Sequence, residues 1–207
     1  MAKFRTNSID DDQDITTSDE IFVSAIAKRI EIFLSGPIKT QENYTKHYQL
    51  IRNAGPNDEI YIYINSGGGA ASSAIQFIRA MQETQARIVC SAEGECMSAA
   101  TMIFLCGDVI EVSQNCLFLF HNYSGGTFGK GGEMIDQLSF EREWSKRLLH
   151  EVYDGFFNDD EIESMLHNKD IWMHADEVLE RAQKCMEYRA ALAKQQDEED
   201  EDDSESV

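Results

Sequence analysis

No apolar run in this 207-residue chain approaches the roughly 20 residues that a membrane-spanning helix needs. The first 20 residues, MAKFRTNSIDDDQDITTSDE, are polar and acidic, and they lack the apolar core of a secretory signal peptide. Basic residues are also scarce, with 18 against 38 acidic ones, which disfavours non-specific binding to nucleic acid. We therefore predict a cytoplasmic protein that binds neither membrane nor nucleic acid.

Cysteine is scarce too: the chain has five, an odd number, and no C-x-x-C pair. This pattern argues against a disulfide framework and against a zinc site. The nucleotide-binding patterns G-K-[ST] and G-x-G-x-x-G are absent as well. We predict no metal and no cofactor, and we interpret the cysteines in apolar stretches as small buried side chains.

The distribution of charge divides the chain into three parts. Residues 1–20 are predicted to form a flexible acidic arm, and residues 21–193 a single folded domain. Residues 194–207 are predicted to be a disordered tail, because eight acids and no base fall within 197–205. The tail serves either solubility or a specific docking role.

Apolar periodicity in the middle part alternates between strand and helix. Segment 59–66 (EIYIYINS) predicts a strand buried on both faces, and residues 133–154 predict a long amphipathic helix. This alternation is typical of an α/β domain with a parallel sheet and right-handed crossovers. The other predicted strands are 30–35, 86–92, 109–113 and 116–123, and the other predicted helices are 40–53, 71–81, 98–105, 159–167 and one from 175 onward.

Four segments carry residues suited to chemistry, although none is specific alone. INSGGG (64–69) could direct backbone N–H groups into a cleft, or could be a flexible turn. Ser98, in GECMSAATMIFLCG, could cap a helix or act as a nucleophile on a tight elbow. His121 ends an apolar strand, where α/β sheets build their sites. Asp170, in NKDIWMHADE, could be a turn residue, and nearby His174 is a rival base that we interpret as a cap.

Taken in order, these segments resemble the proteolytic subunit of the Clp protease family. The family has INSPGG at a strand end, then a G-x-x-x-S turn, a strand ending in histidine before a glycine-rich loop, a long helix and a D-R-F-L-S-A-like segment. The corresponding segments here are INSGGG, GECMSAAT, LFHNYSGG and DIWMHADE, and the similarity spans about residues 28–180. The resemblance implies a ClpP/crotonase-like spiral of β-β-α units with a protruding handle, about residues 125–157.

The resemblance also implies a serine endopeptidase. Ser98 would be the nucleophile, His121 the base and Asp170 the acid that orients it. The backbone N–H groups of Gly68 and Ala99 would form the oxyanion hole, and Gly125 and Gly126 would end a strand that binds the substrate backbone. The implied assembly is two stacked heptameric rings that degrade polypeptides fed by an AAA+ unfoldase.

The chain departs from the family pattern at several points. Gly67 replaces proline, methionine precedes Ser98 instead of following it, and the expected G-L-V-D run after the last helix start is missing. Three alternatives stay open, and these departures motivate the first of them. They are an unfoldase-independent processing protease, a crotonase-like enzyme acting on acyl-CoA, and a non-catalytic ring subunit in which Ser98 is only a cap.

Overall fold

The computed structural model describes residues 27–205, so the predicted arm 1–20 lies outside the described residues. The domain is α/β, as the sequence predicted. The strands are β1 (Arg29–Ser35), β2 (Glu59–Ser66), β3 (Arg87–Met97), β4 (Val109–Val112), β5 (Leu117–Phe120) and β6 (Ile171–Met173). The helices are α1 (Thr45–Arg52, after a 3-10 turn Gln41–Tyr44), α2 (Ala71–Glu83), α3 (Ala99–Phe104), α4 (Gly131–Tyr153), α5 (Asp159–Leu166) and α6 (Ala175–Glu205). Within 27–205 no helix is both long and apolar enough to cross a membrane.

The six strands form one sheet in the order β1-β2-β3-β5-β6, with β4 pairing beside the first half of β3. All pairs are parallel except β5 with β6, which is antiparallel. The parallel arrangement of the strands was predicted. The antiparallel strand β6 was not, because a three-residue strand is too short to show a periodic pattern in the sequence. The sheet therefore brings the carboxyl ends of β2, β3 and β5 to one edge.

Strand β2 shows how the core is built. Ile60, Ile62 and Ile64 are fully buried, while Tyr61 and Tyr63 on the opposite face are only half-buried. The prediction that both faces of this strand are buried was therefore wrong for the tyrosine face. Side chains alternate along a strand, so the isoleucines point into the core and the tyrosines point to the other face. There the Tyr63 ring stacks on the exposed Phe33 ring, with centroids 4.9 Å apart.

Strands β3 and β5 end at other residues than predicted, and both ends lie next to the candidate site residues. β3 continues through Gly94 to Met97, because its second half pairs with β5 after its first half pairs with β4. The predicted turn at Gly94 was wrong for this reason. β5 ends at Phe120 and not at residue 123, since the chain leaves the sheet at His121.

Helix α4 lies in the predicted handle region. Most of its length is exposed to solvent, and its buried residues begin only at Ser145. The free part carries large apolar side chains, with Ile135 66% and Phe140 73% exposed. The helix therefore extends away from the body that its last two turns pack against.

Helix α6 runs to Glu205, through the stretch predicted to be a disordered tail. Residues 190–199 are rich in Ala, Lys, Gln and Glu, which favour a helix whenever no breaker intervenes. The helix is anchored by Arg189, whose guanidinium donates to the carbonyls of Leu105 (2.8 Å) and Val152 (2.7 Å). One side chain therefore joins the carboxyl ends of α3 and α4 to α6.

Candidate functional site

The INSGGG turn lies directly beside Ser98. Gly68 has φ of +90°, and a Cβ placed on it would lie 2.7 Å from the Ser98 Cβ and 2.6 Å from the Met97 carbonyl oxygen. The Gly68 carbonyl accepts a hydrogen bond from the Ile38 N–H at 2.8 Å, which holds the turn against the body. Only glycine allows this approach, because any side chain would displace the serine.

Ser98 occupies the junction between β3 and α3 in a strained conformation. Its φ of 55° and ψ of −128° lie in a region that non-glycine residues rarely adopt. The residue stands at the N-cap position of α3, yet its side chain makes no capping hydrogen bond. The Ser98 hydroxyl therefore does not cap α3, and the residue forms a sharp strand-to-helix turn.

The backbone of Ser98 is held on both sides. Its N–H donates to the carbonyl of Leu119 at 2.8 Å, and its own carbonyl accepts from the Thr101 N–H at 2.9 Å. Leu119 lies in β5, two residues before His121. The strained serine and the end of β5 are therefore linked by a single hydrogen bond.

Ser98 and His121 line the same cavity, which has a volume of about 270 Å³. The cavity is mostly apolar, and Met102, Trp144 and Leu148 contribute to its wall. His121 lies directly after β5 and is half-buried. The structure thus brings together the two residues that sequence reasoning named as nucleophile and base.

Asp170 lies near His121 because strand β6 pairs with β5. It directly precedes β6, and the antiparallel register pairs Phe120 with Ile171, so that His121 and Asp170 follow at adjoining ends of the two strands. Asp170 is exposed and does not line the cavity. Across residues 27–205, no side-chain hydrogen bond or ion pair joins Ser98 to His121 or His121 to Asp170.

The two predicted oxyanion donors also lie side by side. A Cβ on Gly68 would stand 3.1 Å from the Ala99 backbone nitrogen, so these backbones are in contact. The Gly68 N–H donates at 3.1 Å to the hydroxyl of the buried Ser66. Ala99 is the first residue of α3, where the N–H has no partner within the helix.

The predicted substrate-binding glycines lie in an irregular loop. Residues 121–130 contain no strand, and Gly125 and Gly126 are exposed. Because β5 ends at Phe120, the expectation that a strand runs into this loop was wrong. His174, the rival base, is exposed before α6 and does not line the cavity.

Other residues of the cavity carried no signal in the sequence. Trp144 of α4 contacts the Tyr123 ring edge-on at 5.8 Å, and the Tyr123 hydroxyl donates to Glu141 at 3.0 Å. Burial first and the Glu141 carboxylate second raise the pKa of Tyr123. These residues come together because the middle of α4 packs beside the loop at residues 121–130.

The cysteine nearest to Ser98 in the sequence lies in the core of the domain. Cys96 lies two residues before Ser98 but is fully buried, and burial raises the pKa of its thiol well above the usual range. A buried neutral thiol is unreactive. No group of three or more His, Cys, Asp or Glu side chains within 27–205 is arranged to hold a metal ion.

Comparison with known proteins identifies the family. A model of the Clp protease family matches residues 16–182, and since this is most of the chain, the chain belongs to that family. Membership supports a ClpP-type peptidase. One relative is the ATP-dependent Clp protease proteolytic subunit 1 of Salinibacter ruber, 27% identical over 169 residues, which are 78% of this chain and 70% of the relative. The fold resembles that of a ClpP1 point mutant from Listeria monocytogenes, with a TM-score of 0.59 and 20% identity over 73% of this chain and 86% of that structure.

We predict that Gly68→Ala destabilises the protein, because its new Cβ would meet backbone atoms at 2.6 Å in a conformation that side chains avoid. The expected loss in free energy of unfolding is at least about 2 kcal/mol, measured by denaturant titration. Gly126→Ala is the matched control, since nothing lies within 4 Å of its Cβ position. Equal stability of the two variants would show that the Gly68 turn does not press on Ser98.

Proposed function

We propose that this chain is a serine endopeptidase in which Ser98 attacks the substrate carbonyl, His121 accepts its proton and Asp170 orients the histidine. The observation that carries the proposal is the strained Ser98, which makes no capping bond and shares one cavity with His121. Backbone strain of about 1–3 kcal/mol persists only where the surrounding structure holds it, and it is typical of functional sites.

The chemistry follows from the order of the groups. The Ser98 hydroxyl is a weak nucleophile until the His121 imidazole removes its proton as the oxygen–carbon bond forms. The imidazolium then gives that proton to the departing amine, and water releases the acyl group by the reverse sequence. Asp170 would favour the imidazolium because its carboxylate is negative.

The negative oxygen of the tetrahedral intermediate needs donors that are already in place. The N–H groups of Gly68 and Ala99 fit this role, because their backbones are in contact beside Ser98. Ser66 holds the Gly68 N–H in the present state and would give it up to the oxyanion. Each such donor contributes about 3 kcal/mol to stabilising the transition state.

The substrate would be an extended polypeptide. Loop residues 122–130 follow the base, Gly125 and Gly126 are exposed, and the space around the Cβ position of Gly126 is open to an approaching backbone. Added-strand binding uses backbone hydrogen bonds and alternate side-chain pockets. The apolar wall formed by Met102, Trp144 and Leu148 would receive an apolar side chain.

We expect a fluorophosphonate to form an adduct on Ser98, located by mass spectrometry. Ser98→Ala should abolish the adduct, while His121→Ala and Asp170→Asn should slow labelling by about 100-fold or more, because the hydroxyl loses its base or the base its correct tautomer. His174→Ala is the control for His121→Ala and should label at the wild-type rate.

An adduct that persists in His121→Ala at the wild-type rate would contradict the triad. A wild-type protein that stays unlabelled in every size fraction would favour the non-catalytic alternative.

We further propose that the chain assembles into two stacked rings through the exposed part of α4. Ile135 and Leu138 lie one turn apart on this helix and are 66% and 51% exposed. Large exposed apolar side chains on a projecting helix mark an association surface. The lack of a hydrogen bond between Ser98 and His121 in one chain is consistent with an alignment completed on assembly or on substrate binding.

Ile135→Glu and Leu138→Glu should each reduce the native mass to that of one ring, because a buried charge opposes the contact. Native mass spectrometry measures this. Gln137→Glu is the matched control, since it adds the same charge on a different side of the helix. Unchanged mass in all three variants would remove α4 from the ring contact.

Unfolding of folded substrates is assigned to a separate AAA+ ATPase, because the chain has no nucleotide-binding pattern. One observation favours the second candidate, a processing protease that works alone. Helix α6 continues without a break from Ala175, through residues 178–192, where the family pattern expects the helix to give way to the G-L-V-D run.

The two candidates differ in what the purified assembly cleaves. An unfoldase-fed peptidase should cleave short peptides without ATP but leave a stably folded protein intact until an AAA+ unfoldase and ATP are added. A processing protease should cut an intact protein at a defined site without either. Electrophoresis of the products decides between them, with Ser98→Ala as the control for contaminating proteases.

A further inference from the structure

The last turn of α4 places Tyr153 against the helix that begins at Ser98. Tyr153 is 1% exposed, and it is one of the residues that line the cavity. Its hydroxyl lies 2.7 Å from the hydroxyl of Thr101, in the first turn of α3. A buried tyrosine hydroxyl needs such a partner, because leaving it unpaired away from water would destabilise the fold.

The direction of these hydrogen bonds can be assigned. The Thr101 hydroxyl donates to the Ser98 carbonyl at 2.7 Å, and a hydroxyl has only one proton to donate. Thr101 must therefore accept from Tyr153. Burial raises the pKa of Tyr153 well above its usual value, so the hydroxyl remains a donor at all physiological pH.

The two hydrogen bonds run from Tyr153 through Thr101 to the peptide group between Ser98 and Ala99. The carbonyl of Ser98 and the N–H of Ala99 belong to one planar unit and point in opposite directions. The Thr101 hydroxyl adds a second hydrogen bond to the one from its N–H, and together they fix the carbonyl toward Thr101. This aims the Ala99 N–H in the opposite direction, toward the side where Gly68 lies. The same bond opposes relaxation of Ser98 from its positive φ.

The ring of Tyr153 supports the other half of the site. It packs edge-on against Phe120 with centroids 5.7 Å apart, and Phe120 is the residue before His121. Phe157 contacts both rings, with centroids 5.8 Å from Tyr153 and 5.1 Å from Phe120. Tyr153 thus contacts the supports of both the serine and the histidine, although it belongs to neither strand.

We propose that Tyr153 is a positioning residue, whose hydroxyl acts through Thr101 to set the peptide plane between Ser98 and Ala99. It thereby fixes the conformation of the nucleophile and the direction of one oxyanion donor. This inference rests on the proposed function of Ser98.

The test compares variants that remove only hydroxyl groups. Tyr153→Phe keeps the ring, and Thr101→Val keeps the side-chain shape. Each should slow fluorophosphonate labelling of Ser98 about tenfold and lower kcat for a peptide while leaving KM within about twofold, since only transition-state contacts are lost. Thr101→Ser, which keeps the hydroxyl, should restore labelling to within about twofold. The double variant should be no slower than either single variant, because both act on one chain of bonds.

Tyr48→Phe is the matched control for general loosening. Tyr48 is also buried at 3% exposure, and its hydroxyl donates to the Ser73 carbonyl at 3.4 Å, but neither residue lines the cavity. It should lose similar stability without slowing the labelling. Wild-type labelling rates in Tyr153→Phe, or equal slowing in Tyr48→Phe, would overturn the proposal.

Amide hydrogen exchange separates this inference from the proposed function. Tyr153→Phe should speed exchange across residues 98–104 and Tyr48→Phe should not, whether or not Ser98 reacts. If the wild-type protein never labels yet this exchange difference appears, the proposed function fails while the positioning network stands. Unchanged exchange in Tyr153→Phe would show that the hydrogen bonds from Tyr153 through Thr101 do not hold the start of α3.

Discussion

The hydrogen bond from the Ser98 N–H to the Leu119 carbonyl is the contact on which the rest of the site depends. It joins the end of β3 to β5 at the point where β3 stops being a strand and α3 begins. No loop separates the two elements, so the chain must turn within one residue, and Ser98 takes the positive φ that this requires. The same bond brings the end of β5, and with it His121, to the serine.

Packing beneath this contact allows the strained turn to persist. Every residue of α3 is buried. The rings of Phe118 and Phe120 in β5 and of Tyr153 in α4 are buried as well. Gly68 presses on Ser98 from one side, and Thr101 holds its carbonyl on the other. Relaxing the serine would therefore disturb backbone and core together, which a local strain of about 1–3 kcal/mol cannot drive.

The third member of the proposed triad is held less firmly. Asp170 is brought to His121 only by the short antiparallel strand β6, and it remains exposed. Ser98 and His121 line one cavity, whereas Asp170 does not. In the proposed triad, the hydrogen bonds between the three side chains would therefore have to form when substrate binds.

Much of this arrangement follows from local patterns. The strand before the Gly67–Gly69 turn and the helix after Ser98 were both predicted from the sequence. Apolar periodicity acts over a few residues, so the sequence shows it directly. The errors share another cause. Gly94 is held in β3 by two successive partner strands, and residues 121–123 leave the sheet because no partner continues beside them.

The sequence by itself therefore determined the order of the main elements, the glycine turn after β2 and the residue types available for chemistry. Only the tertiary structure decided that Ser98 is strained and uncapped, that it shares a cavity with His121, and that Tyr153 reaches it through Thr101. Residues 101 and 153 belong to separate helices, and their hydrogen bond exists because α4 packs its last turn against α3. Contacts between distant segments depend on the packing of whole elements, which no local pattern of side chains encodes.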